Sequence, residues 1–574
     1  MKDQVILQDR QGSRWLSFHR PRRVVVARHR AEVFQKLAEV EHEVKERGLY
    51  AAGFITYEAA PAFDPALVVR SPAGLPLLWF GLYERAEPID VPTGRAPYTV
   101  DQWQSSVTRA DYESAIGRVK DHIAAGETYQ VNYTYRLCTP FDGQPWGLFL
   151  DLIQAQESSF AAYLDLGSQV ICSASPELFF ELSGTRLISR PMKGTVERGR
   201  TLVEDRSKAE WLYHSEKNRA ENVMIVDMIR NDMGRVSTIG SVEVPTLFDV
   251  ERYPTLWQMT STVTSHTEAS LAQIMAALFP CASITGAPKV STMGIIAELE
   301  TSPRGVYTGC IGYLAPDRQA QFNVAIRTVV VDRDAGFAEF GVGGGVVWDS
   351  GTDSEYAESL TKAKILFERR PAFQLLESLL WSPDEGFYLL EQHLERLAAS
   401  ATYFGFEIDV DALSARLGEA ISSYPQEPQK VRLLLERNGH ICLEAAPLGE
   451  VRSLTVAVAE APVSSENVFL YHKTTNRTAY EVAKASRPGN DEVLLWNERE
   501  ELTEATTANI VVKLAGELLT PPVSCGLLAG VFRGRLLAEG NVQEQVISLS
   551  DLERCQEIYL INSVRKWRRA NLRP

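Results

Sequence analysis

The sequence is short of positive charge, of paired cysteines and of long apolar runs. Lys and Arg number 59 against 74 Asp and Glu, for a net charge of -15, and a surface of that sign opposes nucleic acid and anionic membrane. An anionic small molecule must then be held by local cations, or by a metal ion, working against the field of the whole chain. Cysteine is sparse, seven residues with no C-x-x-C pair. That fits scattered reduced thiols and a cytoplasmic location better than a disulfide framework or a zinc site. No stretch approaches the roughly 18 apolar residues that a spanning helix needs. The start, Met1 to Ser17, has only a three-residue apolar run where a secretory signal needs about 7 to 15. Internal repeats and low-complexity tracts are also missing.

What is there is ordinary globular material, 45% hydrophobic and 23% charged over 574 residues. A single core stops growing at about 250 to 300 residues, so two or three domains are expected. The pattern breaks at Glu368-Arg369-Arg370-Pro371-Ala372, dividing the chain into 1–370 and 371–574. The class expected is α/β and α+β, and the second segment is large enough for its own core.

Tyr112, Ala115, Ile116, Val119 and Ile123 recur at helical spacing, opened by Thr108 with Asp111 three residues on and closed at Gly126. The period then changes. From Tyr129 to Leu137 the apolar residues take every second place, which predicts a strand with Gln130, Asn132, Thr134 and Arg136 on one face, either solvated or lining a site. Ser354 to Lys362 reads as the start of a helix that sets Glu355 and Glu358 one turn apart. Paired carboxylates suit Mg²⁺, although Glu358 and Lys362 also form an ordinary i,i+4 surface pair. Before them runs Gly341-Val342-Gly343-Gly344-Gly345, where missing side chains let a ligand approach the backbone. A dinucleotide frame from Gly341 meets Val346 at its third glycine, and no phosphate-loop motif occurs, so NAD and ATP are not indicated.

Several segments together resemble the chorismate-utilising enzymes, specifically component I of aminodeoxychorismate synthase. They are Gly126 to Asn132, Ser175-Pro176-Glu177, Arg190-Pro191-Met192-Lys193-Gly194-Thr195, Arg219 to Asp227, Arg230-Asn231-Asp232, Ser283 to Lys289, Ala325 to Thr328, and the glycine run with Glu355 and Glu358. The resemblance implies two sheets packed face to face and a Mg²⁺ held mainly by Glu221 and Glu358, with Glu355 beside them. It implies that Arg327, Tyr307 and the amides of Gly343, Gly344 and Gly345 hold chorismate, with Thr285, Lys289 and Gln130 near the site. Lys193 stands where anthranilate synthases carry alanine, which points to amination at C4. In that subfamily the lysine attacks C2 of the ring, expelling the C4 hydroxyl, and ammonia then adds at C4. The alternative is a lysine that only pairs with substrate carboxylate. An ordinary lysine of pKa about 10.4 is only about 0.1% neutral at neutral pH, a handicap of about 4 kcal/mol, so burial must lower it. Gln130 replaces the lysine base of water-adding isochorismate synthases, and Gln258 replaces a histidine of anthranilate synthases. No G-x-C-x-G elbow is present; Thr308-Gly309-Cys310-Ile311-Gly312 lacks the first glycine. Ammonia is therefore expected from a separate glutamine amidotransferase subunit.

In the second segment Glu391 to Leu397, Tyr471 to Arg477 and Leu502 to Ile510 resemble a fold-type IV pyridoxal phosphate enzyme. The resemblance implies Lys473 for the cofactor aldehyde, Glu504 for the pyridine nitrogen, and Arg396, Thr507, Val531 and Phe532 for the phosphate, with Asn509 supporting the ring-binding turn. Gly530-Val531-Phe532-Arg533 departs from the family pattern by one hydroxyl. Lyase and aminotransferase share these residues. The fusion favours a 4-amino-4-deoxychorismate lyase, and so synthesis of 4-aminobenzoate, over the alternative of an anthranilate synthase fused to an aminotransferase. Fold-type IV domains commonly dimerise, so a homodimer through this domain is open.

Overall fold

The computed structural model describes residues 3–9, 14–94, 96–367, 372–449 and 453–573. All of the expected boundary except Ala372 lies outside the described residues. The chain forms two compact units, Met1–Arg198 with Lys208–Arg370, and Gly199–Ser207 with Pro371–Pro574. By its contacts Gly199–Ser207 groups with the residues after 370 rather than with its chain neighbours. Its contacts belong to the second unit: Leu202 packs on an apolar cluster there, and the Tyr403 hydroxyl donates to the Gly199 carbonyl at 2.8 Å.

In the first unit many strands are buried along nearly their whole length, among them Leu78–Tyr83 and Phe160–Asp165, as strands covered on both faces must be. A ten-stranded sheet runs Met192–Glu197, Leu256–His266, Arg186–Arg190, Leu178–Ser183, Gln319–Val324, Cys310–Ala315, Tyr50–Ile55, Leu78–Tyr83, Arg23–Ala27, with Glu243–Arg252 beside the second strand. An eleven-stranded sheet holds Gln130–Gly143 between Gly286–Ala287 and Phe337–Val346, and continues through Thr328–Asp332, Gln169–Ser175 and Phe160–Asp165 to the N-terminal strands. Neighbouring strands are antiparallel.

Alternation along each strand assigns the layers. Ala52 and Phe54 join Val5, Leu7, Phe18 and Ile171 of the other sheet in one cluster. The flanking Ala51 and Ile55, on the opposite face, pack instead with Val33, Leu37, Ile225 and Ile229 from helices Arg30–Arg47 and Glu216–Gly234. On the far face of the eleven-stranded sheet, Tyr133, Tyr135 and Leu137 meet Tyr112, Ile116 and Val119 of helix Arg109–Ala124. Two sheets thus pack face to face between outer helices.

Helix Arg109–Ala124 begins as its sequence predicts, with Thr108 accepting from the Asp111 amide and Asp111 reaching back. The strand expected over Tyr129 to Leu137 is Gln130–Gly143. Its polar face is not solvated: Gln130, Asn132, Thr134 and Arg136 are all buried. Helix Thr352–Ala363 carries Glu355 and Glu358.

The second unit pairs a four-stranded sheet, Gly386–Phe387, Leu375–Ser382, Gln429–Leu435, Ile441–Pro447, with an eight-stranded one. Helices Leu390–Phe404 and Val410–Ala420 cover the small sheet through Leu394, Leu397 and Leu413. In the larger sheet an extra pairing of Leu502–Ala505 with Ala508–Leu514 closes a ring of strands around Val456, Leu494, Ile510 and Leu560. Among the described residues no helix is long and apolar enough to cross a membrane.

Phe80 is fully buried and meets Phe322 edge-on at 6.2 Å in the core of the first unit. Phe80→Ala should cost about 3 to 5 kcal/mol of that unit's stability, read as a lowered transition in calorimetry; an unshifted transition would refute this packing.

Candidate active sites

The first unit has a cleft where the Lys193 strand, helices Glu216–Gly234 and Thr352–Ala363 and the glycine-rich end of Phe337–Val346 meet. Lys193 is buried, and its Nζ donates to Asn132 Oδ1 at 3.1 Å. Asn132 is held in turn, giving its Nδ2 to the Ser283 carbonyl at 3.0 Å. Burial lowers the Lys193 pKa and Lys362 lowers it further, while Glu221, Glu177 and Glu358 oppose both. A Cβ on Gly345 would collide with Gln130 Nε2 and stand 3.0 Å from Lys193 Nζ, so the glycine admits the amine to the cleft.

Glu177 was not singled out from its motif, yet it lines the cleft and is 2% exposed. Burial pushes its carboxyl up to about 7, against a hydrogen bond from Ser283 Oγ at 2.6 Å and the Lys193 charge. Glu177 and Lys193 thus set a carboxyl raised to about 7 near an amine whose proton affinity burial lowers. Its sequence signals are its place in the Ser175-Pro176-Glu177 segment and a charge between two apolar strands.

Glu221, Glu355 and Glu358 all line the cleft, as do Arg327, Tyr307 and Gly343 to Gly345. Burial raises Glu221. Burial also pushes Glu358 upward, but Lys362 at 2.7 Å outweighs it and leaves the carboxyl below its ordinary range. Glu355 accepts from Ser350 Oγ at 2.7 Å, with Lys217 at 3.5 Å. Among the described residues no three His, Cys, Asp or Glu side chains are grouped to hold a metal, so the carboxylates do not form an all-protein cage. The donor set still fits Mg²⁺, which takes oxygen ligands, often one or two carboxylates with several waters and substrate oxygens. Lys362 pairs with Glu358 as the i,i+4 spacing predicts, and Lys217, which carried no sequence signal, adds a second cation beside Glu355.

Arg327 adopts φ 53° and gives a guanidinium N–H to the Lys362 carbonyl. Burial lowers its pKa to about 10. Tyr307 lies under the Arg136 guanidinium at 5.0 Å.

Two expected neighbours fall elsewhere. The Thr285 hydroxyl turns to the Cys281 and Ala282 carbonyls, and Lys289 pairs with Asp232 at 2.9 Å. Ser283 and Ile284 of the same segment line the cleft instead, because the short 3₁₀ turn Ala282–Ile284 presents them. Gln130 is fully buried beside the cleft, and neither atom of its amide finds a partner among the described residues. Gln258 gives Nε2 to the Gly194 carbonyl at 2.7 Å and accepts from Thr195 at 3.0 Å, so it braces the Lys193 strand.

The second unit has its own cleft, lined by Lys473, Glu504, Arg396, Thr507, Asn509, Val531 and Phe532 among others. Lys473 is fixed by its main chain, its carbonyl accepting from Leu376 N at 2.9 Å. Burial lowers its pKa to about 8, and the Arg396 charge adds to this. Glu504 is buried and pushed up to about 7 by that burial, with Tyr480 Oη at 2.7 Å, the Leu528 amide at 3.1 Å and Asn509 Nδ2 at 3.2 Å donating to it. Asn509 also donates to the Leu528 carbonyl, and a Cβ on Gly530 would collide with it.

Arg396 is gripped by Glu377 at 2.7 and 2.9 Å and reaches the Ala529 carbonyl at 3.1 Å, beside the helix that starts at Val531. The Thr507 hydroxyl is not free as expected: it and Thr506 both donate to Glu492, which leaves the main chain there to serve a ligand. The residues fit pyridoxal phosphate. A neutral-capable amine, a carboxyl, an arginine and the helix start at Val531 line one cleft, and His393 Nε2 there is buried without a partner among the described residues.

Residues 2–368 match the chorismate binding enzymes, and the chain belongs to that family. Residues 374–572 match the class IV amino-transferases. Over 271 residues the chain is 41% identical to aminodeoxychorismate synthase component 1 of Salmonella typhimurium, taking in 47% of this chain and 59% of that protein. Over 273 residues it is 38% identical to anthranilate synthase component 1 of Thermus thermophilus, 46% of this chain and 58% of that one. The matches thus span less than two thirds of either relative. The crystal structure of anthranilate synthase component I from Streptococcus pneumoniae shares the fold, with a TM-score of 0.53 at 23% identity over 64% of this chain and 93% of that chain. Overall identity barely separates the two activities, so the residues of the cleft must.

Burial raises the Glu377 carboxyl, but Arg396 and His393 outweigh it and hold the pKa at about 2. A depressed carboxyl stabilises the fold above its unfolded pKa, 4.5 here, and loses that contribution as pH falls towards 2. Glu377→Gln should therefore destabilise the second unit by about 3 kcal/mol at neutral pH, and the gap to wild type should narrow below about pH 4.5. A gap that is constant with pH in thermal unfolding would contradict the ion pair's role.

Proposed function

We propose that the chain converts chorismate to 4-aminobenzoate in two steps. The first unit aminates chorismate at C4 with ammonia from a separate glutaminase, and the second removes pyruvate with the help of pyridoxal phosphate. The observation that carries this reading is Lys193, an amine buried among carboxylates where the anthranilate-forming relatives have alanine.

In the first unit Arg327, Tyr307 and the amides of Gly343 to Gly345 bind the substrate's carboxylates and ring. Glu221 and Glu358 would hold Mg²⁺, which would supply a positive centre for the substrate's ring carboxylate. Lys193 in its neutral form attacks ring C2, both ring double bonds shift towards C4, and the C4–O bond breaks. Glu177, titrating near 7, hands a proton to the departing oxygen so that water leaves. Ammonia then bonds to C4, the C2–N bond breaks, and the amine of Lys193 is regenerated. Gln130 cannot take a proton at neutral pH, which disfavours water as the nucleophile.

In the second unit Lys473 and Glu504 would hold the cofactor ring and Arg396 its phosphate, with the amides of Val531 and Phe532 and the main chain of Thr507; Asn509 steadies Glu504. The cofactor would supply an electron sink that makes the substrate's C4 proton removable. Lys473 Nζ takes the C4 proton, the C3–O bond to the enolpyruvyl group breaks, and the ring becomes aromatic. The same amine then protonates the departing enolate to give pyruvate.

Three outcomes check this. Chorismate, Mg²⁺, pyridoxal phosphate and an ammonium salt should give 4-aminobenzoate; anthranilate as product would overturn the proposal in favour of the anthranilate synthase reading. Lys193→Ala should slow amination by about a thousandfold or more, and the wild-type rate should climb with pH and level off below the ordinary lysine pKa; an unchanged rate would leave the lysine as a mere counter-ion. Lys473→Ala should abolish the visible absorption of bound cofactor and let 4-amino-4-deoxychorismate accumulate.

A further inference from the structure

The second cleft carries more positive charge than its cofactor needs. Seven Lys and Arg side chains line it, against Glu504 as the only carboxylate in the lining among the described residues, in a chain of net charge -15. Three are spoken for: Arg396 by Glu377, Arg477 by the Thr506 carbonyl and the Tyr480 ring, and Lys473 by its chemistry. Lys430, Arg432 and Arg568 remain, and Arg565 beside them meets a main-chain carbonyl.

Lys430 and Arg432 alternate on strand Gln429–Leu435, exposed on one face while Val431 and Leu433 fill the core on the other. Arg432 has only a loose, half-exposed pairing with Glu444 at 3.5 Å, worth little. Arg565 gives a guanidinium N–H to the Gly449 carbonyl. Arg568 lies on strand Lys566–Leu572 with its Nε buried and without a partner among the described residues. Burial lowers its pKa, and the neighbouring Arg565 lowers it further against Glu492. Holding two arginines together with a buried, unsatisfied donor is costly, and an anion that accepts from both removes the cost.

We propose that Lys430, Arg432, Arg565 and Arg568 form a carboxylate-binding rim that selects a dicarboxylate amine as the substrate of the second unit. An ordinary amino acid has one carboxylate for such a rim, whereas 4-amino-4-deoxychorismate has two, on the ring and on the enolpyruvyl group. The strand pair receives one and the arginine pair the other. This rests on the pyruvate-releasing reading of the second unit, and it assigns substrate choice to residues outside the Lys473 and Glu504 machinery that lyases and aminotransferases share.

The test is steady-state kinetics of the holoenzyme with 4-amino-4-deoxychorismate, following pyruvate. Arg568→Ala and the double variant Lys430→Ala, Arg432→Ala should each raise KM about tenfold to a hundredfold, with kcat within a few-fold and the visible cofactor absorption unchanged; Arg568→Lys should recover part of the loss. Unchanged KM, or a fall in kcat alone, overturns the rim. A wild type that releases no pyruvate but transaminates glutamate overturns the lyase reading while supporting a dicarboxylate rim, and one that acts only on monocarboxylate amino acids overturns both.

Discussion

The hydrogen bond from Lys193 Nζ to Asn132 Oδ1 at 3.1 Å joins a strand at the end of the ten-stranded sheet to a strand of the eleven-stranded one. Much of the first cleft depends on it. It draws the amine out of water and sets it within the field of Glu177, Glu221 and Glu358. Burial and the carboxylates pull the proton affinity of Lys193 in opposite directions, so its fraction in the neutral form is sensitive to what enters the cleft. In the proposed reaction a cation engaging Glu221 and Glu358 would weaken the carboxylates' hold on the proton, coupling metal and amine electrostatically.

Lys473 is tuned differently. Its pKa is also lowered by burial, but its strongest charged neighbour is a cation, Arg396, rather than a carboxylate. The first amine is restrained by anions that a metal or substrate can modulate, and the second is released in advance by fixed arginines. Each arrangement suits its proposed task, attack on an anionic ring in one case and repeated proton transfer in the other.

The layering of the first unit was legible because period-2 alternation and helix capping are local: Thr108 with Asp111 and the Gln130 to Arg136 face follow from residues within a few positions. Whether that polar face met water or protein was not legible, since its cover comes from distant segments such as Ser283 and Glu300. The same limit explains the site residues. Motifs brought Lys193, Glu221, Glu358, Arg327 and Tyr307 to one cleft, but the direction of a side chain within a motif depends on turns such as Ala282–Ile284, which sends Thr285 and Lys289 away. The rim arginines carry no motif at all and become visible only as a charge imbalance around a cavity.

The nonapeptide Gly199–Ser207 makes the second unit discontinuous in sequence. Its hydrogen bonds to Tyr403 and His472, the latter adjoining Lys473, close loops of 204 and 272 residues, and such closure costs chain entropy that grows with the length of the loop. During synthesis this segment leaves the ribosome long before the histidine it holds, and it stays without its partners until the chain is almost finished. Residues 371–574 made alone would lack the carbonyls of Gly199 and Arg200 that Tyr403 and His472 meet.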